Sequence, residues 1–325
     1  MRNRGPRVVS DTLERTSDAP PRAFIVGTRG SRLALRQTER VLEALRLANP
    51  EARFEVRTIR TEGDRSKAPL ASFASRGIFA AEIERVLLAK EIDIAVHSLK
   101  DLPNEETPGL VVAATPRRAD PRDALISRDG ALLADLPPAA TVGTGSPRRS
   151  AQVLLLRPDL RVADIRGNVD TRIRKVENGD YDAIVIAAAG LARLGWLERA
   201  TQLFLPSEML PAAGQGALAV QVRAHDLEAI TLARTIDDLD TNVCVFAERT
   251  FEGRLGGGCH AAIAALAEIE GITLRLSGLV ADPGGERVFR GQLEGVTTDA
   301  EGLGVALAEK LIGYGAREVL VESPR

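Results

Sequence analysis

Val26-Gly27-Thr28-Arg29-Gly30-Ser31 returns later in the chain as Val142-Gly143-Thr144-Gly145-Ser146. Each copy has the pattern of a short buried strand and a glycine-rich turn, and a segment with helical character follows the turn. A second pair repeats in the same order, because Asp93-Ile94-Ala95-Val96 resembles Asp182-Ala183-Ile184-Val185 and each precedes a predicted loop. This degenerate repeat predicts two similar α/β domains that face a shared cleft.

The order of the remaining segments predicts a third, smaller domain. Residues 217–222 have the pattern of a strand that returns to the first domain. From Asp237 onward a helix, a glycine-rich turn, alternating strands and a last helix predict an α+β unit. The expected fold class is therefore α/β, with two α/β domains and a smaller α+β C-terminal domain. The predicted boundaries are residues 22–116 and 217–236 for domain 1, 117–216 for domain 2 and 237–325 for domain 3.

Three segments are predicted to lack regular structure. Residues 1–21 contain no apolar signal-peptide centre, and their acidic side chains argue against a transit peptide, so we expect a disordered tail. Asp120-Pro121-Arg122-Asp123 is predicted to be a connector between domains. Ala188-Ala189-Gly190-Leu191 is predicted to be a loop at the end of the strand over residues 181–187.

The composition is that of a globular protein without a strong overall electrostatic field. The chain has 325 residues, a hydrophobic content of 44% and a formal net charge of −2, so no global charge recruits nucleic acid or an acidic membrane. No apolar run is long enough to span a bilayer. Two widely separated cysteines favour a reducing cytosol over a disulfide framework, and the apolar neighbours of Cys244 predict a core position. Three histidines without a ligand-like spacing argue against a structural metal site.

One cysteine stands in an unusual setting. Gly256-Gly257-Gly258-Cys259-His260 places a thiol after consecutive glycines, which permit turns that side chains forbid and leave the thiol accessible to a large group. Cys259 is either a covalent attachment point or a small buried hydrophobe beneath a tight turn. The residues of the turn leave both interpretations open.

Arginines gather beside the predicted strand ends. Lysine is rare among the 43 basic residues, and the planar guanidinium suits bidentate binding of carboxylate or phosphate. Each arginine alone is compatible with a solvated helix start, but together they predict a cleft for a polyanion. The chain has neither a Gly-x-x-x-x-Gly-Lys-Ser/Thr loop nor a Gly-x-Gly-x-x-Gly helix start. The arginines are Arg29, Arg32, Arg148, Arg149, Arg166 and Arg172.

An acidic residue follows the predicted strand at residues 92–96. Asp101 stands among cations, which favour its charged form. It is either a loop cap or a carboxylate that faces a developing positive charge or passes a proton. His97, slightly earlier, is interpreted as a structural hydrogen-bonding residue.

Five of these segments, in the same order, resemble the porphobilinogen deaminase family. The resemblance runs from about Phe24 to the C-terminal end, and it implies three domains, of which the first two are similar to periplasmic binding proteins. The segments are His97-Ser98-Leu99-Lys100-Asp101-Leu102-Pro103, Gly143-Thr144-Gly145-Ser146-Pro147-Arg148-Arg149, Arg166-Gly167-Asn168-Val169, Leu210-Pro211-Ala212-Ala213-Gly214-Gln215-Gly216 and Gly257-Gly258-Cys259.

The resemblance implies a transferase with hydroxymethylbilane synthase activity. Such an enzyme joins four porphobilinogen units head to tail with release of ammonia, and water then releases the linear tetrapyrrole hydroxymethylbilane. It builds its chain on a dipyrromethane cofactor, here expected as a thioether on Cys259. We expect a cytoplasmic monomer that binds porphobilinogen and neither nucleic acid nor membrane.

The resemblance also assigns roles to individual residues. It implies that Asp101 is catalytic, assists deamination and stabilises positively charged pyrrole intermediates. The residues that match cofactor contacts are Cys259, Lys100, Ser98, Thr144, Ser146, Arg148, Arg149, Arg166, Gly167, Gln215 and Gly216. The residues that match substrate contacts are Arg29, Ser31, Arg148, Arg172 and Arg76.

The chain departs from the family pattern at two places, and a second function also agrees with the sequence. The loop that commonly reads Gly-Gly-Lys-Gly-Leu-Phe is Ala74-Ser75-Arg76-Gly77-Ile78-Phe79 here, which has two glycines fewer. The usual proline after the cysteine is absent from His260-Ala261-Ala262-Ile263. The rival function is a two-domain anion-binding module without chemistry, in which Cys259 is dispensable.

Overall fold

We describe a computed structural model of the chain over residues 22–60, 80–256 and 262–321. Three parts of the sequence predictions lie outside these residues: the tail at residues 1–21, the substrate contact Arg76 and the cofactor attachment site Cys259. Gly256 and Ala262, on either side of the cysteine-bearing turn, are described.

The first sheet joins early and late parts of the chain. Its strand order is β2-β1-β3-β10-β4, with β1 parallel to β2 and β3, and with β10 antiparallel to β3 and β4. Helices α1 and α6 cover one face of the sheet and α2 the other. The elements are β1 Ala23–Arg29, α1 Arg32–Ala48, β2 Arg53–Ile59, α2 Ala81–Leu88, β3 Ile94–Ser98, β4 Leu110–Ala114, β10 Leu218–Arg223 and α6 Leu227–Arg234.

The second sheet repeats this plan. Its order is β7-β6-β8-β5-β9, with β6 parallel to β7 and β8, and with β5 antiparallel to β8 and β9. Helix α3 packs on one face, and α4 and α5 pack on the other. The elements are β5 Asp123–Ser127, β6 Thr141–Gly143, α3 Pro147–Leu156, β7 Arg161–Ala163, α4 Val169–Glu177, β8 Ala183–Ala187, α5 Ala188–Leu194 and β9 Gln202–Leu203.

The repeat in the sequence corresponds to a repeat in hydrogen bonding. The Asp93 carboxylate accepts from the backbone N–H of Ile25 at 3.0 Å, at the start of the β1–β3 pair. The Asp182 carboxylate accepts from the N–H of Thr141 at 2.8 Å, at the start of the β6–β8 pair. Each aspartate satisfies a donor that the edge of the parallel pair leaves open. The same aspartate-to-backbone hydrogen bond is therefore present at the start of a parallel strand pair in both sheets.

The third sheet is a three-stranded antiparallel meander in the order β11-β12-β13. Helices α7 and α8 cover one face, and the other face packs against Ala151 of α3. Gly278 is required in β12, because a Cβ there would lie 2.5 Å from the ring of Phe251 on α7. The elements are α7 Leu239–Leu255, β11 Ala262–Glu270, β12 Thr273–Ala281, β13 Val288–Val296, α8 Ala300–Gly313 and α9 Ala316–Val321.

The expected fold class is confirmed, and two local predictions are wrong. Two mixed α/β sheets and a smaller α+β unit are present, and residues 218–223 return to the first sheet. Asp123 is not part of a connector but begins β5, whose residues are all buried. Residues 188–191 are not a loop but begin α5, since alanine and leucine favour a helix once the strand ends. Among the described residues, none of the helices is both long and apolar enough to cross a membrane.

Candidate active site

The predicted site residues lie where the two mixed sheets face each other, beyond the carboxyl ends of their parallel strands. Ser31 begins α1 directly after β1, and its hydroxyl accepts from the N–H of Ala34 at 3.2 Å. Arg29 is the last residue of β1 and is partly buried. Helix α1 also packs against α5 of the second sheet, with the Arg32 guanidinium 4.7 Å from the ring centre of Trp196. The first turn of α1 therefore lies between the two sheets.

Asp101 faces cations that belong to the second sheet. It lies in a short 3₁₀ helix, Leu99–Asp101, directly after β3, and it is partly exposed. Burial, followed by the neighbouring cations Arg149 and Arg166, lowers the pKa of Arg172 to about 10, against the opposing effect of Asp164 and Asp101. An arginine with this pKa remains protonated at neutral pH. The carboxylate of the first sheet thus lies within electrostatic reach of α4 in the second.

Lys100 connects the Asp101 segment to the returning chain. Its ammonium donates to Oε1 of Gln215 at 3.2 Å. Burial, followed by the neighbouring Arg149, lowers the pKa of Lys100 to about 8, although Asp101 and Asp123 oppose the change. The ammonium is therefore charged at pH 7, and its cost of burial would be reduced by a nearby anion.

Arg148 and Arg149 at the start of α3 are buried and already hold one carboxylate. Arg148 donates to Asp123 at 2.7 Å and to the carbonyl of Leu210 at 2.7 Å. Arg149 donates to Asp123 at 2.9 Å. Gln215 donates to the same carboxylate at 3.0 Å. Burial alone would raise the pKa of Asp123, but Arg148 and Arg149 outweigh it and hold the pKa well below its usual range.

Arg166 and Arg172 form the less neutralised part of the cation cluster. The Nε of Arg166 lies 3.4 Å from an oxygen of Asp164, and its buried Nη2 has no hydrogen-bond partner among the described residues. Arg172 donates through Nε to the carbonyl of Gly167 at 2.8 Å. Buried donors without partners are rare in native proteins, and they indicate a ligand or water at that position.

The other predicted contacts are structural parts of the same region. The hydroxyl of Ser98 accepts from Gln37 at 2.8 Å. The Thr144 hydroxyl accepts from the N–H of Ser146, which precedes α3. Gly216 has a φ of 90°, and a Cβ there would lie 2.5 Å from the carbonyl oxygen of Ala119. Glycine is therefore required where the two chain crossings between the first and second sheets, residues 115–122 and 204–217, touch.

His97 does not act as a proton carrier near neutral pH. It is buried, and burial lowers its pKa to about 4. Its Nε2 has no hydrogen-bond partner among the described residues, so the interpretation of His97 as a structural hydrogen-bonding residue stays a prediction. Over residues 22–60, 80–256 and 262–321, no cluster of histidine, cysteine and acidic side chains is placed to hold a metal ion.

The donor set fits a ligand with several carboxylates. Lys100, Arg149, Arg166 and Arg172 converge on one region, while the opposing Asp123 is already held by two arginines. The pKa of Arg172 is lowered by burial and by the neighbouring cations Arg149 and Arg166, and the Nη2 of Arg166 has no hydrogen-bond partner among the described residues. Carboxylate groups of a ligand would supply negative charge to these cations through charge-assisted hydrogen bonds.

Sequence reasoning missed two acidic residues that organise the site. Asp123 was assigned to a connector, although the apolar run after it is the signal of a buried strand. Glu248 of α7 is fully buried and accepts from Arg118 at 2.6 Å, and from the N–H groups of Gly214 and Ala267. It connects both chain crossings to the third sheet. Its only sequence signal is an acid within the apolar run of a helix.

Solved structures similar to this chain include two that are described as binding proteins. The methionine-binding protein MetQ has 11% identity and a TM-score of 0.41, over 67% of this chain and 89% of that one. An ancestral arginine-binding protein has 15% identity and a TM-score of 0.39, over 66% of this chain and 90% of that one.

Family models and curated relatives match nearly the whole chain. Residues 24–231 match the model described as porphobilinogen deaminase, dipyromethane cofactor binding domain, and residues 242–313 match its C-terminal domain. A porphobilinogen deaminase of Thermus thermophilus is 49% identical over 93% of this chain and 99% of the relative. That of Acidothermus cellulolyticus is 49% identical over 91% of this chain and 90% of the relative. The resemblance found in the sequence is confirmed: this chain belongs to the porphobilinogen deaminase family.

Proposed function

We propose that this chain is a hydroxymethylbilane synthase, a transferase that condenses four porphobilinogen units head to tail with release of ammonia. The observation that carries the proposal is the surplus of buried cations around Asp101 in a chain of this family. A growing product with an acetate and a propionate on each unit needs such a surface.

The cofactor of this function is a dipyrromethane, attached through the sulfur of Cys259. When bound, it supplies the pyrrole end to which substrate units are added. The residues proposed to hold it are Lys100, Ser98, Thr144, Ser146, Arg148, Arg149, Arg166, Gly167, Gln215 and Gly216. Lys100 and Arg166 carry the direct charge contacts in this proposal, because their donors are less committed than those of Arg148 and Arg149.

Asp101 is the proposed catalytic residue. Its carboxylate is the group of the first sheet that faces the incoming ring, and it stabilises the positive charge that develops as ammonia leaves. Arg149 and Arg172 lie within electrostatic reach of this carboxylate. A fixed carboxylate in a partly desolvated cleft stabilises such charge more than water does.

Substrate carboxylates are proposed to bind Arg29, Ser31, Arg148, Arg172 and Arg76. Arg148 offers its Nε, which has no partner among the described residues, while its Nη1 is engaged by Asp123 and Leu210. Arg172 offers the donors that Gly167 does not occupy. In this proposal Arg148 is held in place before the substrate binds, whereas Arg172 gains hydrogen bonds only from the substrate carboxylate.

Arg172→Gln is expected to lower kcat/KM for porphobilinogen about 10- to 100-fold, because a charge-assisted hydrogen bond contributes about 1.5–3 kcal/mol. The matched control is Arg174→Gln. Arg174 lies on the same helix but is exposed and pairs with Asp170, so we expect less than about a twofold change. Steady-state kinetics measures both. Equal kcat/KM in the two variants would remove Arg172 from the substrate site.

Intact-protein mass spectrometry tests the function directly. The purified chain is expected to be heavier than its sequence by two pyrrole units, and Cys259→Ser is expected to have the unmodified mass and no turnover. Cys244→Ser is the matched control. Cys244 is buried, and burial together with Glu248 raises the pKa of its thiol to about 12, so it stays protonated and unreactive.

The rival function makes the opposite prediction. A two-domain anion-binding module would have unmodified mass, and its Cys259→Ser variant would bind a small dicarboxylate as tightly as the parent. Isothermal titration of the two proteins with a dicarboxylate measures this. An unmodified mass in an active preparation would overturn the synthase proposal.

The proposed function also includes domain boundaries, a localisation, an oligomeric state and partners. The domains are proposed to comprise residues 22–116 with 217–236, residues 117–216, and residues 237–325. The protein is proposed to be cytoplasmic and monomeric, with porphobilinogen as its partner and no nucleic acid or membrane.

A further inference from the structure

The segment that carries Asp101 is attached to the helix that leads to the cysteine-bearing turn. Helix α7 ends at Leu255, and the residue after it, Gly256, has a φ of 69° that ends the helix in a left-handed cap. One face of the same helix contacts residues 99–104. The contacts come from Val245, Arg249 and Glu252, whose spacing of four and three residues places them along one side of a helix.

Three different interactions make up this attachment. Val245 packs in one apolar cluster with Leu99 and Leu102, which flank Lys100 and Asp101. Arg249 donates to the carbonyl oxygens of Leu102 and Pro103. Each of these contacts fixes the backbone of the Asp101 segment against α7.

The third interaction is a partly buried side-chain pair. Asn104 donates from Nδ2 to Oε2 of Glu252 at 3.2 Å, and the Glu252 side chain is buried. The amide of Asn104 lies directly against α7, because a Cβ on Gly253 would be 3.8 Å from its Nδ2. The hydrogen bond to Glu252 therefore ties Asn104 to this turn of the helix.

The opposite side of α7 packs against the third sheet and pairs with Arg118. Cys244, Ala247, Phe251 and Leu255 pack into the core of the third sheet, and Glu248 pairs with Arg118. The helix is thus held on one side by its own domain, and on the other it holds the Asp101 segment. A displacement of either partner changes the distance between the end of α7 and Asp101.

We propose that Arg249 and Glu252, with Asn104, are positioning residues that set the placement of Asp101 relative to the end of α7. The inference rests on the proposed function, in which that helix leads to the cofactor and Asp101 acts on the ring. None of the three side chains needs to touch substrate. Their effect is to keep the carboxylate at a fixed separation from the anchored chain, where errors of about 1 Å can cost about 100-fold in rate.

A swap of the partly buried pair tests the proposal. Asn104→Asp places two carboxylates in contact, and adding Glu252→Gln restores one donor, one acceptor and the original net charge. We expect Asn104→Asp to lower kcat by about 10- to 100-fold at similar KM. The double variant should recover to within about threefold of the parent. Turnover of the cofactor-loaded enzyme is measured per cofactor, with the cofactor quantified by Ehrlich's reagent.

The readouts separate positioning from stability and from the function itself. A purely structural role would lower the unfolding temperature of Asn104→Asp but leave kcat per cofactor at the parental value, and this result would overturn the proposal. An impaired single variant that the second change does not rescue would overturn it as well. A parent without added mass or turnover would overturn the proposed function, and with it this inference.

The second contact gives an independent test if Asn104→Asp does not fold. Arg249→Met removes the donors to Leu102 and Pro103 but keeps a flexible apolar stem, whereas Arg249→Lys keeps a donor. We expect kcat per cofactor to fall about tenfold in the methionine variant and to recover at least in part in the lysine variant. Parental kcat in Arg249→Met would overturn the proposal.

Discussion

Asp101→Asn is expected to lower kcat by about 10²- to 10⁴-fold, the range over which an acid–base or charge-stabilising side chain acts. The amide has nearly the size of the carboxylate but carries no charge, so it cannot balance the positive charge that develops as ammonia leaves. KM should change little, since the proposed carboxylate contacts of the substrate come from arginines. Steady-state kinetics of porphobilinogen consumption measures both constants.

The control for this variant lies on the same loop. Glu105 is exposed, and Glu105→Gln removes an equal charge a short distance from the cleft. We expect it to retain parental kcat, because an exposed charge is screened by solvent. Both variants should keep the two added pyrrole units by mass. Near-parental kcat in Asp101→Asn would remove Asp101 from the chemistry.

The sequence predicts the repeated framework because that framework is local. Glycine-rich turns after short apolar strands recur at residues 26–31 and 142–146, and a strand–turn–helix unit needs only neighbouring residues to be recognised. The sequence also predicts that residues 217–222 return to the first sheet, and this is confirmed by the strand at residues 218–223. Local pattern and chain order together therefore define the architecture.

The interior of the site could not be predicted in the same way. The sequence indicates that Arg148 and Arg149 lie at a helix start, but it does not show that Asp123 meets them. That contact depends on the antiparallel pairing of β5 with β8 and on burial, neither of which a pattern of adjacent residues reports. A buried acid preceded by proline and arginine has the pattern of a connector.

The same limit explains why the attachment of α7 to the Asp101 segment is absent from the sequence predictions. Glu252 and Asn104 are far apart in the chain, and each alone has the pattern of an exposed polar residue. Only the packing of the third sheet against both chain crossings brings them together. The family motifs identify Asp101 and Cys259, while the contacts that relate their positions lie between the motifs.

Asp123→Asn is expected to reduce the free energy of unfolding by about 3–5 kcal/mol, the cost of removing one partner from a buried ion pair. The asparagine would leave the guanidinium groups of Arg148 and Arg149 buried without an opposing charge. Asp120→Asn is the matched control. Asp120 is partly exposed and pairs with Arg122, so its loss should cost less than about 1 kcal/mol. Urea unfolding followed by circular dichroism measures the difference.

The pH dependence of this stabilisation has a defined sign. Asp123 has a pKa in the folded protein below that of an unfolded aspartate, because Arg148, Arg149 and Gln215 outweigh the effect of burial. Its contribution is therefore fully present above the unfolded value of about 3.9, and it is lost as pH falls toward the folded value. The stability difference between the parent and Asp123→Asn should be constant from pH 7 to pH 5 and should shrink below pH 4. A difference that grows on acidification would mean that Asp123 is protonated in the folded protein, and the two arginines would then lack the anion on which their placement in the cleft depends.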